Sequence, residues 1–217
     1  MRNIVVAEFL TLDGVMQAPG DPNEDPSGGF EHGGWQLAYF DDIFADELNA
    51  GFERTGAYLF GRRTYEIFAN WWPNQPPNDP LAPIFNQAPK YVVSTTLSEP
   101  LPWQNSTLIR GDVPNEIAQL KASDGGDGKD IQVIGSGELV QTLAKHRLID
   151  RWQLIIHPLL LGNGKRLFRE GLPVTKLRLI DSKTSTKGLL ILTYGQAEGS
   201  SEKVAVPVDE GQPASAG

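Results

Sequence analysis

At 217 residues the chain is long enough for one sizeable core, and a hydrophobic content of 40% supplies the material to fill it. No apolar run approaches the roughly 18–20 residues that cross a bilayer, and a formal charge of −8, from 19 basic and 27 acidic residues, argues against a nucleic-acid partner. Zero cysteines exclude disulfides and thiolate metal sites and fit a reducing, cytoplasmic location; the three histidines, His32, His146 and His157, stand at no ligand-like spacing, so no metal is expected.

Short apolar and β-branched runs alternate with stretches of helical period along the chain. The first strand is read over Asn3–Phe9, where Glu8 interrupts the apolar run; the absence of a small-residue cleavage site argues against a signal peptide. A polar region rich in proline and glycine, Gln17–Gly34, follows as a long loop of the kind that is usually functional or disordered. Helix Trp35–Arg54 comes next, then strand Ala57–Phe60, helix Arg63–Asn70 and a short helix Leu81–Asn86. Strands Tyr91–Thr95 and Thr107–Arg110 precede helix Pro114–Ser123, with Asp112 as its N-cap, and strand Ile131–Ile134 runs into helix Gly137–His146. Strands Trp152–His157, Lys176–Asp181 and Leu189–Tyr194 close the body, the last two joined without a helix. This order predicts an α/β protein with a mainly parallel sheet and an antiparallel C-terminal edge. One domain is expected over residues 1–195, and the small, polar stretch 196–217 reads as a flexible tail.

Three strand exits carry groups suited to anions. Ile134-Gly135-Ser136-Gly137-Glu138-Leu139 passes from a β-branched strand through two glycines into a helix, a junction that lets a phosphate reach bare amides and the positive helix end, although a glycine pair here also has purely steric explanations. Gly61-Arg62-Arg63-Thr64 sets two arginines against the dipole of a helix start, a placement that a bound anion would favour and that pairing with Glu66 or Glu53 would equally explain. Ser94-Thr95-Thr96 ends a third strand in hydroxyls. Together they line one carboxyl edge, where open α/β sheets bind ligands.

These pieces, with Leu12-Asp13-Gly14, Asp150-Arg151-Trp152-Gln153-Leu154 and His157-Pro158-Leu159-Leu160-Leu161-Gly162-Asn163-Gly164, resemble the dihydrofolate reductase superfamily over about residues 1–195. The likeness is to the reductase domain of the bacterial bifunctional riboflavin-biosynthesis deaminase-reductase and its stand-alone relatives. It implies a three-layer αβα fold around an eight-stranded mixed sheet, with NADPH as hydride donor. It further implies that Gly61, Arg62, Arg63, Thr64, Ser94, Thr95 and Thr96 lie near the adenosine ribose and its phosphate. Gly135, Ser136 and Gly137 then approach the pyrophosphate, and Ile134, Glu138 and Leu139 beside them count among the cofactor-binding residues. The Pro-Trp pair of dihydrofolate reductase proper is missing after Gly14, which demotes folate reduction, and Glu138 stands where several dihydrofolate reductases carry a basic residue after the glycine turn.

The implied reaction is reduction of a small heterocycle, resembling that of 5-amino-6-(5-phosphoribosylamino)uracil reductase; a binding protein without turnover on the same scaffold is the alternative. Hydride transfer usually calls for a proton, and the candidates are Asp42, favoured over its neighbour Asp41, His32 in Glu31-His32-Gly33-Gly34, for which a plain surface-loop histidine is the competing account, and Asp13, which could instead fix the Gly14 turn. Trp35 and Tyr39 could stack on a planar substrate, with Asp41 beside them, although both carboxylates could equally be solvated. A homodimer is expected, for which the apolar Leu159-Leu160-Leu161 would suit a seam although a buried strand end explains them equally well, and no nucleic-acid or membrane partner is expected.

Overall fold

A computed structural model describes residues 1–123 and 128–197 of the protein. Eight strands form one sheet: β1 (Ile4–Thr11), β2 (Thr55–Gly61), β3 (Lys90–Val93), β4 (Ser106–Ile109), β5 (Asp130–Ile134), β6 (Arg151–His157), β7 (Leu177–Thr184) and β8 (Leu190–Gln196), in the order β4-β3-β2-β5-β1-β6-β8-β7. The first six run parallel, and β8 runs antiparallel to both β6 and β7. The expected fold class, mainly parallel with an antiparallel C-terminal edge, is therefore present. Most of the proposed tail, residues 198–217, lies outside the described residues.

Helices α1 (Asp42–Arg54), α2 (Arg62–Trp71), α3 (Ala82–Gln87), α4 (Val113–Ala122) and α5 (Gly137–Lys145) cover the two faces. Ile4, Val6, Leu59, Ile131 and Val133 meet Ile117, Leu139, Val140 and Leu143 of α4 and α5 in the largest core. The alternate residues Tyr58 and Phe60 point the other way, into an aromatic cluster with Tyr65, Phe85 and Trp103. Phe44 of α1 packs on Ile155 and Ile191. This is the two-sided burial expected of a parallel sheet.

One helix begins later than the sequence predicts. Trp35–Phe40 is not α-helical and contains only a 3₁₀ turn, Leu37–Tyr39. The α-helix starts at Asp42 because Asp41 is extended and its carboxylate accepts the Phe44 N–H at 2.9 Å. Tertiary contacts overrule the local period: Trp35 Nε1–H donates to the Gln17 carbonyl at 2.8 Å, and the Trp35 and Tyr39 rings stand edge-on to His157 at 4.8 and 5.4 Å.

Two features of the sheet shape what lies at its carboxyl edge. Pairing of β1 with β5 ends at Ala7↔Ile134, whereas pairing with β6 continues to Thr11↔His157, so the strands fork and β1 has one free flank from Glu8 onward. The β2–β5 ladder ends at Tyr58↔Gln132, before either strand does. Beyond it the two exits are tied by side chains: the Gly61 N–H donates to Ser136 Oγ at 2.9 Å, and the Ser136 N–H donates to Thr64 Oγ1 at 2.8 Å.

Candidate active site

A cavity of about 1770 Å³ opens at this carboxyl edge, where β2 and β5 end beside the free flank of β1. It exceeds the roughly 300–1,000 Å³ of a typical small-molecule pocket and has room for a dinucleotide beside a second ligand. Gly61, Arg62, Arg63 and Thr64 line it, as do Ile134, Gly135, Ser136, Gly137, Glu138 and Leu139. Two of the three anion-suited exits thus converge. Ser94, Thr95 and Thr96 stand one strand further out and do not line it: Ser94 Oγ is used locally, accepting the Thr96 and Leu97 N–H groups at 3.1 and 3.0 Å.

The two helices aimed at the cavity differ from their neighbours. Asp41 and Asp112 cap α1 and α4 with their side chains, but α2 and α5 carry no side-chain cap, and Ser136, the N-cap of α5, spends its hydroxyl on Gly61. Their first-turn amides are left for another acceptor. The α5 turn is also built for close approach. Gly135 and Ser136 both hold positive φ (60° and 57°), and a Cβ on Gly135 would stand 3.0 Å from Thr64 Oγ1.

Cations surround these amides. Arg63 is exposed and forms no ion pair among the described residues, while Arg62 pairs with Glu66 at 2.8 Å one turn along α2. Arg169 binds Glu138, and that hydrogen bond, with help from the nearby charges of Arg63 and Lys165, holds the Glu138 carboxyl below its usual range. Arg169 therefore offsets the acid at the start of α5. The run Lys165-Arg166…Arg169 was the available signal for this patch; its approach to α5 depends on the chain folding back from β6.

None of the carboxylates or the histidine chosen from sequence lines the cavity. Asp42 is exposed in the first turn of α1. Asp41 is turned outward as the cap, and hydrogen bonds from Thr186 Oγ1 and the Phe44 N–H bring its carboxyl down to about 2. His32 is exposed, its ring edge-on to Phe30. Asp13 fixes a turn. Desolvation pushes its carboxyl up, but Thr11 Oγ1 (2.6 Å) and the amides of Gly162 and Leu161 outweigh this and hold it at about 2. Trp35 and Tyr39 surround His157 instead of lining the cavity.

The acids that do reach the cavity are mostly committed to partners. Glu47 pairs with Lys183, Asp25 with Lys165, and Glu24 Oε2 accepts the Gly20 N–H at 2.7 Å. Glu8 differs. It is only 3% exposed, and its Oε1 has no hydrogen-bond partner. Burial pushes its carboxyl well above the ordinary range, against the lowering effect of the Gly135 N–H that faces it. The signal was a single charge inside a strand buried on both faces. Beside Glu8, on the α1 side, Phe9, Phe44, Leu48, Phe52 and Ile155 give the cavity an apolar wall, with Gln132 and Gln153 as its buried amides.

The family model for the RibD C-terminal domain matches residues 2–191. The chain belongs to this family. It is 28% identical over 197 residues to the uncharacterised YyaP of Bacillus subtilis (strain 168), covering 89% of this chain and 94% of that protein. It is also 28% identical over 146 residues to YwjB of the same organism, covering 65% and 77%. Among solved structures it is similar to a Shewanella sp. PV-4 protein described as a riboflavin-biosynthesis candidate, with a TM-score of 0.63, 25% identity and coverage of 91% of this chain and 99% of that one. A pyrimidine reductase-like protein from Corynebacterium diphtheriae shares the fold, with a TM-score of 0.59, 16% identity and coverage of 90% and 92%. Membership of this family supports an oxidoreductase. Among the described residues, no helix is long and apolar enough to cross a membrane.

Proposed function

We propose that the protein is a reductase that takes its hydride from NADPH and delivers it to a small heterocyclic substrate, in the manner of 5-amino-6-(5-phosphoribosylamino)uracil reductase. The observation that carries this reading is the pair of helix starts without side-chain caps, α2 and α5, bonded to each other at the cavity and ringed by Arg63, Arg169 and Lys165. The fit to a dinucleotide is good: the turn at Gly135 leaves no room for a side chain, and the α5 start that follows it has no side-chain cap, so its first-turn amides are the donors a diphosphate requires.

In this reading the α5 amides and Arg169 hold the diphosphate, while Arg63, free of ion pairs among the described residues, reaches the extra phosphate of the adenosine ribose. The dihydronicotinamide supplies the hydride; the protein supplies position and a dry wall. Phe9, Phe44, Leu48 and Ile155 exclude water from the reacting face, and Gln132 and Gln153 offer hydrogen bonds to the edge of a planar ring. Arg63→Ala is expected to weaken NADPH binding roughly ten- to hundredfold, the range of a charge-assisted hydrogen bond, and to leave NADH unchanged. Titration calorimetry reads both. Equal affinity of the parent protein for the two coenzymes, or no effect of the substitution, removes the NADPH assignment. Binding without NADPH oxidation across a panel of pyrimidines and pterins would favour a non-catalytic binding protein.

A further inference from the structure

The fork between β1 and β5 contains a group that the reductase reading above leaves unused, and the order of the strands gives it a role. Across β2-β5-β1 the cavity meets, in turn, the arginines at the exit of β2, the glycine turn at the exit of β5, and Glu8 on the free flank of β1. Neighbouring strands lie about 4.8 Å apart, so these stations follow one another along the length of an extended dinucleotide. If the arginines take the adenosine phosphate and the α5 amides the diphosphate, the opposite end of the molecule comes to the fork.

We infer that Glu8 is the receptor for the carboxamide of the nicotinamide ring, its free Oε1 taking the hydrogen bond that the protein leaves unmade. The chemistry matches on three counts. A buried, unpartnered oxygen is costly and is relieved by a ligand donor. No cation pairs with Glu8 among the described residues, so a neutral amide suits it better than a charged ligand group would. A carboxyl held toward its neutral form both donates and accepts, as a primary carboxamide does. The Gly135 N–H faces Glu8 from the exit of β5.

This assignment rests on the dinucleotide reading, and one set of titrations separates the two. NADPH and 2′-phospho-ADP-ribose, which lacks the nicotinamide, are titrated by calorimetry into the parent protein, Glu8→Leu and Glu8→Gln, with circular dichroism melts to establish that each variant is folded. Glu8→Leu is expected to lose about two- to tenfold in NADPH affinity, the worth of one ordinary hydrogen bond, and nothing for 2′-phospho-ADP-ribose. Glu8→Gln, which keeps an acceptor and a donor, should retain most of the affinity. Equal losses for both ligands in Glu8→Leu, or no loss for either, overturn the role of Glu8 while the dinucleotide site stands. Failure of the parent protein to bind either ligand overturns both.

Discussion

Replacing Gly135 with alanine tests whether the cradle at the α5 start is as tightly built as its geometry implies. Alanine at φ 60° carries the left-handed penalty of about 1–2 kcal/mol. Its Cβ would also stand 3.0 and 3.1 Å from Thr64 Oγ1 and Cγ2. Thr64 has no cheap way to withdraw, because its Oγ1 accepts the Ser136 N–H at 2.8 Å, and losing that bond costs about 1 kcal/mol more. The total of about 2–3 kcal/mol corresponds to a fall in melting temperature of roughly 4–12 °C for a domain of this size. Gly111→Ala is the control: it has φ +90° and nothing within 4 Å of its Cβ, so it bears the backbone penalty alone. Scanning calorimetry of the two variants with and without NADPH reads both quantities. Saturation at a hundred times the dissociation constant adds about 2.7 kcal/mol to a binding-competent protein, and Gly135→Ala should lose most of that increment while Gly111→Ala keeps it. Melting of Gly135→Ala within a degree of Gly111→Ala, with an intact ligand response, would refute the steric argument.

Two further outcomes are expected. His157 is fully buried, and desolvation lowers its pKa although the carbonyls of Leu10 and Ile155 partly oppose this. The neutral ring is therefore the folded form, and its contribution is present above the unfolded value near 6.5 and is lost as pH falls through that value toward the folded one. Melting temperatures taken from pH 8 down to pH 5 should fall more steeply for the parent than for His157→Gln; parallel curves would contradict the assignment, and the difference between the proteins cancels the opposite slope contributed by Glu8, whose raised carboxyl loses stability as pH rises. Sedimentation equilibrium at micromolar concentration is expected to return the mass of a dimer, with the exposed Leu160, Leu179 and Ile180 as apolar surface to cover; a single-chain mass would end that expectation.

The strands and the glycine turns were legible because their signals are local. A β-branched run ending in Gly135-Ser136-Gly137, or in Gly61-Arg62-Arg63, announces a strand exit and a helix start wherever the rest of the chain goes. The acids were not legible in this way. Asp13 looks like a loop carboxylate until the backbone of Gly162 closes on it, and Asp41 and Asp42 read as the start of a helical face until Asp41 is seen to cap. Trp35 and Tyr39 satisfy a helical period but answer to His157, a partner more than a hundred residues away in sequence. Glu8 was visible as an interruption of an apolar strand, but only the early end of the β1–β5 ladder gives that interruption a cavity to face.

The tie between Gly61, Thr64 and Ser136 also has a bearing on how the halves of the sheet stay together. The chain between these turns makes the outer strands β3 and β4, and it is joined to the remainder by a β2–β5 ladder that stops at Tyr58 and Gln132. Past that point the seam is closed by two hydrogen bonds through side-chain hydroxyls. A coenzyme lying on those turns would rivet the seam from outside, making occupancy a matter of mechanical cohesion for the whole sheet as well as of chemistry.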